Sequence, residues 1–173
     1  MKLIFIFIFI LNYNSLFAKS ANELMYDLEH MNNKQIINII KAYDFGKKYD
    51  LQWTLAAITW QESEGGLLKI DRNLNKFGLC KLDINEHLKM RKIKSSFFSR
   101  SEYATKLIED DFYNLKWTVK KILKLKKNNK GWFNIWGAFN SNYYPNLKYA
   151  SNIYDKIQIL KKYMLKYHFI TKG

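Results

Sequence analysis

The sequence predicts a compact, mainly α-helical domain built around a central buried helix, with little or no sheet. Apolar residues recur at the three- to four-residue spacing of amphipathic helices in several long stretches. The stretch 51–66, LQWTLAAITWQESEGG, is apolar on every side of the helix it would form, as expected for a helix enclosed by others. The chain has 173 residues, which is enough for one domain with a substantial core.

Three helices are predicted in the first half of the chain. Ser20-Ala-Asn-Glu23 is a capping box and opens a short helix. Residues 33–49 repeat Ile and Tyr at helical spacing and lead into the central helix from Leu51. Residues 67–82 are too irregular for a long helix and are interpreted as an ordered loop with short strands.

The second half is predicted to contain four more helices. A second capping box, Ser99-Arg-Ser-Glu102, opens the longest of them, whose apolar stripe continues to Ile122. The only proline, Pro145, marks a turn before the last helix. The predicted segments are 83–92, 99–122, 131–142 and 148–167.

Residues 1–18 are typical of a secretory signal peptide. Lys2 precedes a nine-residue apolar run, Leu3 to Leu11, and the run is shorter than the roughly 20 residues that span a bilayer. Cleavage after Ala18 would leave residues 19–173 as a single domain, and Ser20 is the alternative cleavage site. The segment therefore predicts a periplasmic or secreted protein, and an uncleaved N-terminal membrane anchor is the alternative.

The charge, the cysteine and the histidines exclude several function classes. The net charge of +14 comes mostly from lysines spread along the chain without a clustered basic recognition helix, so no nucleic-acid partner is expected. Cys80 is the only cysteine, which rules out an internal disulfide and is typical of a small buried side chain. His30, His87 and His168 lie far apart, so we expect no metal site, and no motif indicates a cofactor.

Two acids near the end of the central helix are predicted to behave differently. At about 100° per residue, Glu62 lies within the aliphatic stripe of Leu55 and Ile58, whereas Glu64 lies on the opposite side. A carboxyl that faces a core is either paired or protonated with a raised pKa, and a raised pKa suits a general acid. The alternative is that Glu62 bends out to water or caps a backbone group.

Four segments in order, AAITWQESEGG, FGLCKL, WGAFNSN and KYASNIY, resemble the motif series of the soluble lytic transglycosylases, which have the goose-type lysozyme-like fold. That family has a Glu-Ser pair ending a central helix, then a Gly-Leu-Met-Gln loop, an Ala-Tyr-Asn segment and a Tyr-Val pair. The resemblance covers roughly residues 33–165. It implies a lysozyme-like helical domain that acts on peptidoglycan.

Carried over by this resemblance, Glu62 is the catalytic acid and the Tyr149 hydroxyl points at its carboxyl. A buried carboxyl also needs such a partner on physical grounds. The turn at Tyr143 and Tyr144 is the favoured aromatic wall of the glycan cleft, whereas helical spacing favours the core for the tryptophans at 132 and 136. The resemblance implies Ser63, Gly78, Leu79, Asn140 and Tyr149 as substrate-binding residues, and the candidate set also includes Lys81, Tyr143 and Tyr144.

The chain departs from the family pattern in the glycine loop. Cys80 and Lys81 replace Met and Gln, so an amide that could bond a sugar is lost, although a lysine also donates hydrogen bonds. Ser141 replaces a glycine after Asn140. Narrowed specificity, or a protein that binds glycan without turnover, therefore remains an alternative.

Most glycosidases need two carboxylates, but only Glu62 is convincing here. Asp71 and Asp83 lie in irregular segments and are typical of turn formers or helix caps. The resemblance implies a single-acid reaction between N-acetylmuramic acid and N-acetylglucosamine that closes a 1,6-anhydro ring without water. True hydrolysis, as in a lysozyme, is a variant of this hypothesis.

The expected partners are peptidoglycan glycan strands, and the protein is expected to be a monomer. The sequence leaves open whether the protein trims the wall for growth, opens a passage for cell-envelope secretion or conjugation machinery, or belongs to a phage. It also leaves open endo or exo action and the peptide-stem preference.

Overall fold

The computed structural model describes residues 19–141 and 144–167. Within these residues the protein is mainly α-helical, with eight helices and one small three-stranded sheet, which confirms the predicted fold class. The predicted signal peptide and Tyr143 lie outside the described residues. None of the helices described is both long and apolar enough to cross a membrane.

The elements follow the predicted order closely. The sheet is an antiparallel meander in which β2 pairs with both β1 and β3, so the segment 67–82 does contain short strands. The elements are α1 Ala21–Glu29, α2 Asn33–Lys47, α3 Gln52–Ser63, β1 Ile70–Asp71, β2 Lys76–Phe77, β3 Leu82–Asp83, α4 Ile84–Met90, α5 Phe97–Glu109, α6 Asp111–Asn128, α7 Trp132–Asn140 and α8 Leu147–Lys166.

Helix α3 is the buried centre of the fold. Eight of its 12 residues are buried, and it packs mainly against α2 and α8. Gly46 near the end of α2 makes this packing close, because a Cβ there would lie 2.6 Å from the Cα of Gln52. The all-round apolar character of residues 51–60 is therefore explained by neighbours on both sides.

One predicted helix is wrong. The segment from Ser99 to Ile122 is two helices, because α5 ends at Glu109 and the extended backbone at Asp110 begins a new helix. The Asp110 side chain accepts a hydrogen bond from the Tyr113 amide at 2.8 Å, which satisfies a free amide at the start of α6. The capping box of α5 is formed by Ser96 and Ser99, three residues earlier than predicted. The longest helix is α8, with 20 residues.

The two tryptophans of α7 have different surroundings. Trp136 is buried, and its indole nitrogen donates to the Thr54 hydroxyl on α3 at 3.3 Å. Trp132 stacks on Trp136 but remains 37% exposed. The core placement predicted from spacing is thus confirmed for Trp136, while Trp132 lies at the surface.

Candidate active site

Glu62 lies one residue before the end of α3, where the chain reverses direction. Glu64 adopts a left-handed conformation with φ of 51°, and Gly65 follows with φ of 68°. The Gln35 side-chain amide donates to the Glu64 carbonyl at 2.7 Å and fixes the reversal. As a result Glu64 is exposed, whereas Glu62 is only partly accessible.

Burial raises the pKa of the Glu62 carboxyl above its ordinary value. Removal from water penalises the charged form, as its place in the aliphatic stripe predicts. The Tyr149 hydroxyl opposes this shift most strongly, followed by the positive charges of Lys76, Lys81 and Lys121. The site therefore combines a desolvated acid with groups that stabilise its anion once the proton has left.

Tyr149 comes from the first turn of α8 and lies against Glu62. Its side chain is 6% exposed, and its hydroxyl is close enough to the carboxyl that each group changes the pKa of the other. Burial and the nearby carboxyl raise the pKa of Tyr149 well above its ordinary value. Among residues 19–141 and 144–167, no hydrogen-bond partner of good geometry is present for this buried hydroxyl. The neutral Tyr149 hydroxyl can therefore donate a hydrogen bond to the Glu62 carboxyl or to a ligand.

Ser63 joins the end of α3 to the glycine loop, the segment Gly78–Lys81. Its buried hydroxyl lies 2.6 Å from the Leu79 carbonyl, to which it donates, and it accepts from the Gly66 amide at 2.9 Å. The Leu79 side chain is itself fully buried, so this residue offers only its backbone to the site. Ser63 therefore acts as a positioning residue between Glu62 and the loop.

Asn114 on α6 holds the same loop from the other side. Its side-chain oxygen accepts from the Cys80 amide at 2.8 Å and its nitrogen donates to the Phe77 carbonyl at 3.1 Å. Gly78 has φ of +86°, and a Cβ there would lie 2.1 Å from both the Asn114 amide nitrogen and the Leu107 carbonyl. The requirement for glycine is therefore steric as well as conformational.

Sequence reasoning missed Asn114. The only signal was its place directly before Leu115 in an apolar stripe, which put a polar side chain next to the core. Cys80, whose backbone amide makes one of these two hydrogen bonds, is fully buried, and burial raises its thiol pKa to about 12. The prediction that Cys80 is a small buried side chain is confirmed.

Three lysines, Lys76, Lys81 and Lys121, form the cationic side of the site at different depths, and Lys76 on β2 is partly exposed. Lys81 is partly exposed and has a left-handed backbone with φ of 44°. Lys121 is 6% exposed, pairs with the Glu86 carboxylate at 2.6 Å, and lies over the Phe139 ring at 4.6 Å. Lys121 was not identified from the sequence, because it belongs to a lysine-rich segment that is typical of a solvent-exposed helix end.

Asn140 reaches the site indirectly. Its side-chain oxygen accepts from the Asn146 amide nitrogen at 3.0 Å, and Asn146 in turn caps α8 by accepting from the Tyr149 backbone amide at 3.0 Å. Within the described residues no hydrogen bond joins Asn140 to Glu62. Tyr144 is 84% exposed beside this turn, and its neighbour Tyr143 is not described.

The two other candidate acids have structural roles. Asp71 accepts from the Leu74 amide at 3.0 Å within a turn, and Asp83 caps α4 by accepting from the Glu86 amide at 2.8 Å. The charged groups that act most strongly on Glu62 are lysines. In the described part of the chain no group of three or more His, Cys, Asp or Glu side chains is arranged to hold a metal ion.

A concave surface of about 490 Å³ lies near the end of α3 but not at Glu62. Its walls include Trp60, Gln61, Glu64 and Lys156. Trp60 and Gln61 lie about 160° and about 100° around α3 from Glu62. The chemistry of the carboxyl, not the size of this depression, therefore defines the candidate active site.

No protein-family model, curated protein or solved structure matches this chain.

Proposed function

We propose that this protein is a peptidoglycan lytic transglycosylase that uses Glu62 as its sole acid and base. The proposal is supported most by one observation: Glu62 is a desolvated carboxyl with a raised pKa next to the buried Tyr149 hydroxyl. A carboxyl that holds its proton closer to neutrality is suited to general acid catalysis. The substrate class rests on the motif resemblance.

In the first step the Glu62 carboxyl donates its proton to the glycosidic oxygen between N-acetylmuramic acid and N-acetylglucosamine. The bond from C1 of the muramoyl sugar to this oxygen breaks, and the N-acetylglucosamine leaves with a free hydroxyl. The acetamido oxygen of the muramoyl sugar bonds to C1 and replaces the lost electrons. The resulting Glu62 carboxylate is stabilised by the Tyr149 hydroxyl and the nearby lysines.

In the second step the C6 hydroxyl of the same muramoyl sugar attacks C1. The Glu62 carboxylate takes the C6 hydroxyl proton, and the bond to the acetamido oxygen breaks. The product is a 1,6-anhydro sugar, and Glu62 is protonated again. No water enters, and no second carboxylate is required, which fits the cap and turn roles of Asp71 and Asp83.

Glu62→Gln is the decisive test, with Glu64→Gln as the matched control two residues away. The amide cannot donate or take the proton, so we expect release of anhydro-muropeptides from peptidoglycan sacculi to fall at least about 1,000-fold. Glu64→Gln should retain the parental rate because that carboxylate is exposed on the other side of the chain reversal. Mass spectrometry of the digests measures both. Parental release by Glu62→Gln would refute the proposal.

The same digests separate the two alternatives. A hydrolytic lysozyme would give reducing muramic acid ends, heavier than anhydro ends by one water. A glycan-binding protein without turnover is favoured by one observation, the Lys81 ammonium in place of an uncharged amide beside Glu62. Sacculus binding by the parent protein without any soluble product would support that second candidate.

A further inference from the structure

The start of α5 exposes two adjacent phenylalanines. Phe97 and Phe98 are 82% and 83% exposed, and their rings contact each other edge to face with centroids 5.8 Å apart. Adjacent exposed pairs of large apolar side chains are unusual on the surfaces of soluble proteins and commonly mark a binding site. We refer to residues 92–98 as the phenylalanine tip.

The apolar surface extends beyond the two rings. The Arg100 side chain donates to the Asn75 side-chain oxygen at 2.8 Å, which fixes the β1–β2 turn beside the start of α5. Leu74 in that turn is 58% exposed. An open depression of about 510 Å³ lies against Phe97, with Phe77, Ile84 and Ala104 among its other walls.

The charges along the segment that carries the two phenylalanines are almost all positive. Residues 89–106 contain six basic side chains and one acidic side chain, Glu102. Lys89, Lys92 and Lys94 are exposed on the segment that leads to the phenylalanines. Apolar side chains bordered by lysines match a surface that is anionic outside and apolar beneath.

The tip has a fixed shape. Ser96 and Ser99 form the capping box of α5, and the Ser99 hydroxyl also donates to the Lys94 carbonyl at 2.9 Å. The base of the segment is anchored by Arg91, whose guanidinium bonds the Tyr113 hydroxyl and stacks over Tyr103 at 4.5 Å. The exposed phenylalanines are therefore held outward by hydrogen bonds.

We propose that the phenylalanine tip docks on an anionic lipid bilayer, with Phe97 and Phe98 inserted at the headgroup boundary and the neighbouring lysines against lipid phosphates. An anionic wall polymer or a nucleic acid would also use the lysines, but it offers no apolar layer into which both rings could insert. An uncharged apolar partner would bury the rings but would not use the lysines. This inference does not depend on the proposed enzymatic activity.

A fluorophore at the tip tests the proposal in the full chain. Ser95→Cys carries an environment-sensitive label at the tip, Ser151→Cys carries it on an exposed position of α8, and fully buried Cys80 is not expected to react. The probes are vesicles of phosphatidylcholine alone or mixed equally with phosphatidylglycerol. We expect a blue shift at residue 95 with the mixed vesicles only, and none at residue 151.

Substitutions then separate the two contributions. Removing the rings in Phe97→Ser with Phe98→Ser should weaken the labelled protein's affinity for mixed vesicles about tenfold per ring. Lys92→Gln and Lys94→Gln should each weaken it about fivefold. Phe112→Ser, which removes a 58% exposed phenylalanine on α6, should leave it unchanged.

Three results would overturn the docking proposal. One is an absent blue shift at residue 95. Another is an equal shift with uncharged vesicles, and the third is an affinity that survives loss of both rings. A shift produced by sacculi or DNA in place of vesicles would identify a different anionic partner. The apolar segment 1–18 is present in every variant, so it cannot produce differences between them.

Discussion

The two structural supports of Glu62 are built differently. On one side the glycine loop is held by Ser63 and Asn114, both fully buried and both hydrogen-bonded to loop backbone. On the other side, the turn before α8 is held by an exposed hydrogen bond between Asn146 and Asn140, and the Tyr149 hydroxyl has no partner of good geometry among the residues that the structure describes. The first support provides rigidity, whereas the second keeps a buried polar atom available at the carboxyl.

This contrast has an energetic basis. A buried polar group that loses its partner costs about 1–3 kcal/mol, whereas an exposed one regains water. Changes on the loop side should therefore affect the free energy of unfolding. Changes on the α8 side should affect activity more than stability.

The largest effect is expected from Gly78→Ala. The added Cβ would occupy a left-handed backbone position and meet the Leu107 carbonyl at 2.1 Å, so we expect a loss of about 3–5 kcal/mol in unfolding free energy. Gly131→Ala is the matched control, because Gly131 has a similar φ of +79° but no atom within 4 Å of the added Cβ. It should cost about 1–3 kcal/mol, from backbone strain alone, because φ of 79° with ψ of 145° is rarely adopted by residues other than glycine.

Urea unfolding measures the free energy of unfolding of both glycine variants. The difference between the two losses is the steric part of the cost of Gly78→Ala. If Gly78→Ala fails to fold, it should be absent from the soluble fraction while Gly131→Ala remains soluble, and this result would also indicate a steric clash at residue 78. Equal stability of the two variants would contradict the tight contact between the loop and α6.

An intermediate effect is expected from Tyr149→Phe. The hydroxyl stabilises the Glu62 carboxylate, so its removal raises the Glu62 pKa further. Since the proposed first step uses protonated Glu62, the alkaline limb of kcat/KM should move to higher pH while the maximum falls about tenfold. The melting temperature should stay equal or rise slightly, because the lost hydroxyl had no firm partner.

Melting curves and pH profiles of release from sacculi check the Tyr149→Phe prediction. Lys81→Gln is a useful comparison, because Lys81 lowers the pKa of Glu62 less than Tyr149 does and should give a smaller shift in the same direction. A marked loss of melting temperature in Tyr149→Phe without any shift in the pH profile would contradict this prediction. It would show that Tyr149 stabilises the fold, as Ser63 and Asn114 do, and does not tune the pKa of Glu62.

The sequence could predict the features that local patterns encode, but not those that depend on residues far apart in the chain. The central helix and the different environments of Glu62 and Glu64 follow from local periodicity, which a single stretch of chain contains. The break at Asp110 was missed because apolar spacing continues across it, while a single side-chain cap decides the local geometry. Asn114 and Lys121 were missed because each acts on a segment 34 or more residues away, and no local pattern encodes that pairing.

The smallest effect is expected from Asn140→Ala, and it tests the α8 side directly. Its hydrogen bond to Asn146 is exposed, so the melting temperature should fall by at most about 2 °C, or roughly 0.5 kcal/mol. Asn146→Ala is the graded comparison, because it removes the same bond and also the cap on the Tyr149 amide, which costs about 1 kcal/mol more. If Asn140 acts only through Asn146, both variants should shift the pH profile in the direction of Tyr149→Phe, and Asn146→Ala should shift it further. A raised KM in Asn140→Ala with an unchanged profile would instead indicate that Asn140 contacts the glycan itself.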